Sequence, residues 1–214
     1  MGTIYYLPGY GGRLDTGLGA ALLQRGYSIA GRQTLGDFRA MGFINQVVTV
    51  AADLQEHFWH ADAQVIANSF GAYLFLHAQA GLPPFPGRVL LLSPIVGEFD
   101  HDSQPVHFSP PLPNRLRDLV AKGQLPCPVD AQIHVGSEDW QSVPANVQAL
   151  GDAVGIPVHI APGRGHMLGE DYVGPLLDRW LNTSGAGKKF VAVAVSNTPP
   201  RLCRNEIGDA VNGT

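Results

Sequence analysis

Short, largely apolar runs alternate along the chain with longer stretches in which apolar residues return every three or four positions. The short runs are residues 4–7, 27–33, 63–67, 89–93, 131–135 and 157–160. Their length and near-continuous hydrophobicity predict β-strands buried on both faces. The longer stretches predict helices. Residues 16–25 carry Leu18, Leu22 and Leu23 and end at Gly26, the natural position for a helix C-cap. Residues 42–59 carry Ile44, Val47, Val48, Ala51, Leu54 and Phe58. Residues 70–80, 146–154 and 173–181 follow the same logic, the last on the condition that Pro175 lies in the first turn.

Strand and helix in alternation imply a doubly wound, mainly parallel α/β sheet with helices on both faces and right-handed crossovers. In such sheets ligands bind at the carboxyl ends of the strands, near the point where strand order reverses. Two segments break the alternation. Residues 96–126 are too long for a simple connection, hold Pro105, Pro110, Pro111, Pro113 and Pro126 around one helical patch at 114–121, and are expected to form a short lid. Residues 183–214 are rich in Gly, Ser, Asn and Pro and are expected to be a peripheral or flexible tail beyond a domain at 1–182.

Composition narrows the class. The chain has 214 residues, 45% of them hydrophobic, with a formal net charge of −4. That is enough apolar material for one core, and the charge lacks the basic excess of an electrostatic nucleic-acid binder. Cys127 and Cys203 cannot form a disulfide framework. No apolar run approaches the ~18 residues that span a bilayer. The first residues, MGTIYYLPGYGG, lack the basic and apolar regions of a signal peptide, so a cytoplasmic protein is expected.

The strand ends carry the chemistry. The third run leads into Ala67-Asn68-Ser69-Phe70-Gly71-Ala72, and a helical pattern starts at once. This has the form of the strand-to-helix nucleophile elbow G-x-S-x-G, with Ala67 at the first glycine. Small residues on both sides of the serine let strand and helix approach, and the turn would present the Ser69 hydroxyl at the sheet rim. Ser69 read alone could equally be a helix N-cap. A serine hydroxyl needs a base and the base an orienting carboxylate. After the last strand, Gly163-Arg164-Gly165-His166 offers His166; after the fifth, Gly136-Ser137-Glu138-Asp139 offers Asp139. Glu138, Asp100 and Asp102 compete with Asp139 for the acid. His134 and His159 fall within strands and His77 in the helix after the elbow, where packing roles are expected. The first strand ends in Leu7-Pro8-Gly9-Tyr10-Gly11-Gly12, beside the elbow, and the backbone N–H groups of Tyr10 and Phe70 are the natural pair to hold an oxyanion. Asp53, His57 and His60 lie on one helical face but lack a zinc-binding motif, so no metal or organic cofactor is expected.

From the elbow, the Ser-Asp-His chain order and the glycine-rich loop after the first strand, residues 3–182 resemble a small member of the α/β-hydrolase fold superfamily, similar to compact bacterial serine hydrolases. The resemblance implies six strands in the order 2-1-3-4-5-6. It also implies a triad of Ser69, Asp139 and His166 with oxyanion donors at Tyr10 and Phe70, and a small-molecule ester or thioester as substrate. Lipases, esterases, thioesterases and amidases share that triad. The histidine frequent in the family before the first-strand glycine is Pro8 here, which leaves the oxyanion loop without its usual support. A non-catalytic ligand-binding or interaction module on the same fold is the alternative.

Overall fold

The computed structural model describes residues 2–99 and 109–182. The expected tail at 183–214 and residues 100–108 of the expected lid lie outside the described residues. The elements run β1 (Thr3–Leu7), α1 (Leu18–Gln24), β2 (Ser28–Gly31), α2 (Gly36–Ala40), α3 (Phe43–Asp53), β3 (Gln64–Asn68), α4 (Phe70–Gln79), β4 (Arg88–Leu92), α5 (Arg115–Ala121), β5 (Asp130–Gly136), α6 (Pro144–Val154), β6 (Val158–Ala161) and α7 (Glu170–Asn182). The six strands form one parallel sheet in the order β2-β1-β3-β4-β5-β6, as expected. Strand order reverses between β1 and β3, so their carboxyl ends flank the crevice where ligands bind in such folds.

Period-two alternation along the strands sorts the apolar side chains into two cores. Tyr5, Leu7, Val65, Ala67, Val89 and Leu91 face a layer that includes Val47 and Val50 of α3, all of α4's apolar residues and Val147 of α6. Ile4, Tyr6, Ile66, Leu90 and Leu92 face Leu22 of α1 and Leu176, Leu177 and Trp180 of α7. All ten residues of α4 are buried, which is why its sequence shows little amphipathic pattern.

Several boundaries differ from expectation for local reasons. The long helix expected over 42–59 is α3 followed by a π-helical turn at Leu54–Phe58; the buried pair Leu54 and Phe58 stand four residues apart, a spacing that also fits an α-helix, so it does not announce the widened turn. The single turn α2, which buries Phe38, was not expected. α6 starts at Pro144, whose fixed φ suits a first turn, and ends at Gly155 in the left-handed region (φ 79). α7 begins at Glu170, so Pro175 lies inside it. The proline stands on the exposed face, where the Asp171 carbonyl that loses its donor can be hydrated. Among the described residues no helix is long and apolar enough to cross a membrane.

Two buried histidines make the fold acid-sensitive. The His77 ring sits against Tyr73 (4.2 Å between centroids) and Phe43 (5.0 Å), with Nδ1–H donating to the Tyr73 carbonyl at 2.9 Å. His134 stacks on His159 across β5 and β6 at 4.6 Å and meets the Tyr172 hydroxyl and Gln132. Burial pushes the imidazole of each down from 6.5 to about 4, helped at His134 by the charges of His159 and Arg179. Both stay neutral when folded and gain a proton more readily when unfolded. Their contribution is therefore complete above about pH 6.5 and is lost as pH falls toward about 4, on the order of 3 kcal/mol apiece. Urea unfolding between pH 7 and pH 4.5 should show that loss, and His77→Phe should reduce its slope. A flat stability profile over that range would contradict the assignment.

Candidate functional site

At the crevice, β3 passes into α4 through a single residue. Ser69 takes φ 53 and ψ −119, a region that non-glycine residues enter at a cost of about 1–3 kcal/mol. The surroundings hold it there. Its N–H donates to Leu92 at 2.9 Å, and its carbonyl accepts from Tyr73 at 3.1 Å and Ile95 at 3.4 Å. Gly71 is sterically required, since a Cβ there would lie 2.1 Å from the Leu7 carbonyl oxygen. Ala67, where the elbow pattern has glycine, is fully buried and its methyl is part of the core. The departure from glycine is therefore accommodated on the strand side and would not be on the helix side.

Three further strand ends converge on this serine. His166, in the loop between β6 and α7, lies with Nε2 2.8 Å from Ser69 Oγ. Its Nδ1 lies 3.0 Å from each carboxylate oxygen of Asp139, just past β5. A carboxylate only accepts, so Nδ1 carries the imidazole proton, Nε2 is an acceptor, and the Ser69 hydroxyl donates to it. The Asp139 side chain is fully buried, and its Oδ1 also accepts N–H bonds from Gln141 (2.9 Å) and Ser142 (2.8 Å). These bonds set the carboxylate's rotamer before any substrate arrives. Of the competing acids, Glu138 is exposed, and Asp100 and Asp102 lie outside the described residues.

The loops bearing Asp139 and His166 are tied to each other. Ser137 N–H donates to Ala161 at 2.9 Å, Glu138 N–H to Arg164 at 2.8 Å, and Gly163 N–H to the Ser137 hydroxyl at 2.8 Å. A Cβ on Gly136 would lie 2.1 Å from the Arg164 carbonyl oxygen.

On the other side of the serine, a Cβ on Gly9 would come within 3.2 Å of Ser69 Cβ, so the loop after β1 closes directly over the nucleophile position. Tyr10 projects from that loop, half exposed, with its ring edge-on to Phe70 at 5.6 Å. Arg39 of α2 covers the other side of the ring, 4.3 Å from its centroid, and donates to the Tyr10 hydroxyl at 3.0 Å. Phe70 opens α4, so its N–H belongs to the positive end of that helix.

Some contributors were not anticipated. Ser142 is fully buried, donates to the Ser93 carbonyl at 2.7 Å and sits 3.5 Å from His166 Nδ1. Asn68 accepts from the Tyr6 hydroxyl at 2.9 Å beside the elbow. Ser142 belongs to no motif and Asn68 holds a variable position of the elbow pattern, so both roles are legible only once the strands are assembled. Within the segment expected to form a lid, Leu116 of α5 is fully buried in the core. Asp53, on the helical face with His57 and His60, accepts from Arg32 at 2.6 and 2.7 Å and from the Tyr5 hydroxyl at 2.7 Å. A surface depression of about 800 Å³ at the opposite rim, between Thr3, Tyr27, His57 and Asn182, touches none of the Ser69 constellation. The side-chain geometry, not concavity, identifies the site.

No protein-family model and no curated protein matches the sequence. Solved structures do match. A carboxylesterase structure from the thaumarchaeon Nitrososphaera gargenis is 12% identical, covers 86% of this chain and 90% of its own, and superposes with a TM-score of 0.57. The ydeN gene product of B. subtilis is 13% identical, with 87% and 100% covered and a TM-score of 0.59. Alpha/beta hydrolase domain-containing protein 10 from mouse is 12% identical, with 85% and 90% covered and a TM-score of 0.61. At such identities the likeness is one of fold alone.

Proposed function

We propose that this chain, which has the α/β-hydrolase fold, is a serine hydrolase cleaving carboxylic esters or thioesters through an acyl-enzyme. The observation that carries the reading is the unbroken hydrogen-bonded line from Ser69 Oγ through His166 to Asp139. Ser69 attacks the substrate carbonyl as His166 Nε2 takes its proton. Asp139 keeps the imidazole in the required tautomer and stabilises its charged form. His166 then protonates the leaving alcohol or thiol. Water, deprotonated by His166, attacks the acyl-enzyme, and the acid is released as the imidazolium returns that proton to Ser69 Oγ. The backbone N–H groups of Tyr10 and Phe70 hold the oxyanion of each tetrahedral intermediate. The route uses no metal or organic cofactor, and an ester substrate agrees with the carboxylesterase among the structural neighbours.

A fluorophosphonate probe should add one phosphonyl group per chain, on the peptide containing Ser69. A panel of p-nitrophenyl esters of increasing acyl length, run beside acyl thioesters, should show turnover and rank the acyl preference. No label and no turnover would exclude the reading and favour the non-catalytic module.

A further inference from the structure

The loop that carries Tyr10 has an unexpected brace. Gly9, Tyr10, Gly11 and Gly12 form a tight turn: Gly12 N–H donates to the Gly9 carbonyl at 2.9 Å, and Gly11 has φ 75, as the third residue of a type II turn requires. Glycine-rich turns of this kind are soft, because each glycine has access to many conformations. Here one side chain closes both ends of the turn. Thr34, in the loop after β2, is almost fully buried at 1% exposure. Its hydroxyl donates to the Gly9 carbonyl and accepts from Gly12 N–H at 2.9 Å. Its own backbone N–H donates to the Gly12 carbonyl at 3.1 Å. The turn is thus stitched to the β2 loop at three points, all on residues flanking Tyr10.

We infer that Thr34 is the positioning residue of the oxyanion loop. It holds the Gly9–Gly12 turn so that the Tyr10 N–H keeps a fixed direction toward the carbonyl that Ser69 attacks, the support that Pro8 cannot give. The inference rests on the serine-hydrolase reading above. A donor aimed at developing charge acts only if it is in place beforehand, since reorganising it during the reaction consumes the stabilisation it offers. The hydroxyl does this without touching the substrate. Its donor end suits the Gly9 carbonyl and its acceptor end the Gly12 N–H, and valine, of the same shape, can do neither.

The test compares Thr34→Val, Thr34→Ala and Thr34→Ser with the wild type on a p-nitrophenyl ester. A boronic acid that forms a tetrahedral adduct on Ser69 is titrated in parallel. With the hydroxyl gone, kcat should fall roughly ten- to a hundred-fold with KM little changed, and boronate affinity should fall by a similar factor. Thr34→Ser should restore most of both, and the pH profile of kcat/KM should stay unshifted because the base is untouched. Thr34→Ala carries the same expectation without presenting a methyl to the Gly9 carbonyl, should the valine variant fail to fold. Folded Val or Ala variants with wild-type kcat would overturn the inference, as would a loss confined to KM or a Ser variant as impaired as the Val variant. Those results require an active wild type; a wild type that neither turns over nor labels overturns the hydrolase reading itself, and this inference with it.

Discussion

Ser69→Ala is expected to lower ester turnover by roughly 10⁵- to 10⁶-fold while leaving the protein folded. The chemical loss is complete because no other hydroxyl in the described structure is bonded to His166 Nε2. The fold survives because Ser69 is held by its backbone, through bonds to Leu92, Tyr73 and Ile95 that alanine keeps. Alanine also inherits the strain of φ 53. Glycine does not, so Ser69→Gly should be equally inactive yet more stable than the wild type, by about 1 kcal/mol. Steady-state kinetics and denaturant midpoints on the two variants read the two effects separately. Turnover within tenfold of wild type in Ser69→Ala would remove the nucleophile from the mechanism. A Ser69→Gly variant less stable than Ser69→Ala would show that the turn is not strained.

Asp139→Asn is expected to lower kcat by about 10⁴-fold with little change in structure. Oδ1 of Asp139 is committed to the N–H groups of Gln141 and Ser142, so the amide oxygen must take that place. The amide NH₂ then replaces Oδ2 and faces His166 Nδ1. A donor there forces Nδ1 to accept and moves the imidazole proton to Nε2, aimed at Ser69 Oγ. The imidazole then has no lone pair for the serine's proton. Glu138→Gln, one residue away and exposed, should change kcat less than twofold. Histidine nitrogen NMR on the two variants would read the tautomer directly. Asp139→Asn turnover within tenfold of wild type, or a proton still on Nδ1, would rule out this role for Asp139.

Much of this was legible before assembly, for identifiable reasons. The strands are legible because a sheet covered on both faces demands runs such as Val65–Ala67 and Val89–Leu92; alternation with helices implies that they run parallel, and only the resemblance to the α/β-hydrolase superfamily implies their order. Ser69 and His166 stood out because small residues crowd around each: Gly71 must be glycine to clear β1, and Gly163 and Gly165 free the histidine loop. Asp139 was legible by position alone; what singles it out from Glu138 is burial, a property of the assembled loops. Thr34 and Ser142 were invisible because their partners are backbone groups far along the chain, and a backbone carbonyl leaves no trace in residue identity. The early start of α7 escaped notice because the cost of Pro175 depends on whether the orphaned carbonyl meets water, which only the packed helix decides.

The stitching of the Gly136–Asp139 turn to the Ala161–Arg164 loop has a consequence for how the crevice can breathe. Carboxylate and imidazole ride on two loops bonded to each other, whereas the serine sits at the junction of β3 and α4. Slack is then expected to open between Ser69 and His166 before it opens between His166 and Asp139. Loosening then interrupts proton transfer to the histidine without scrambling the histidine's own proton. The seam also leaves no room for a side chain at position 136, where a Cβ would meet the Arg164 backbone across it.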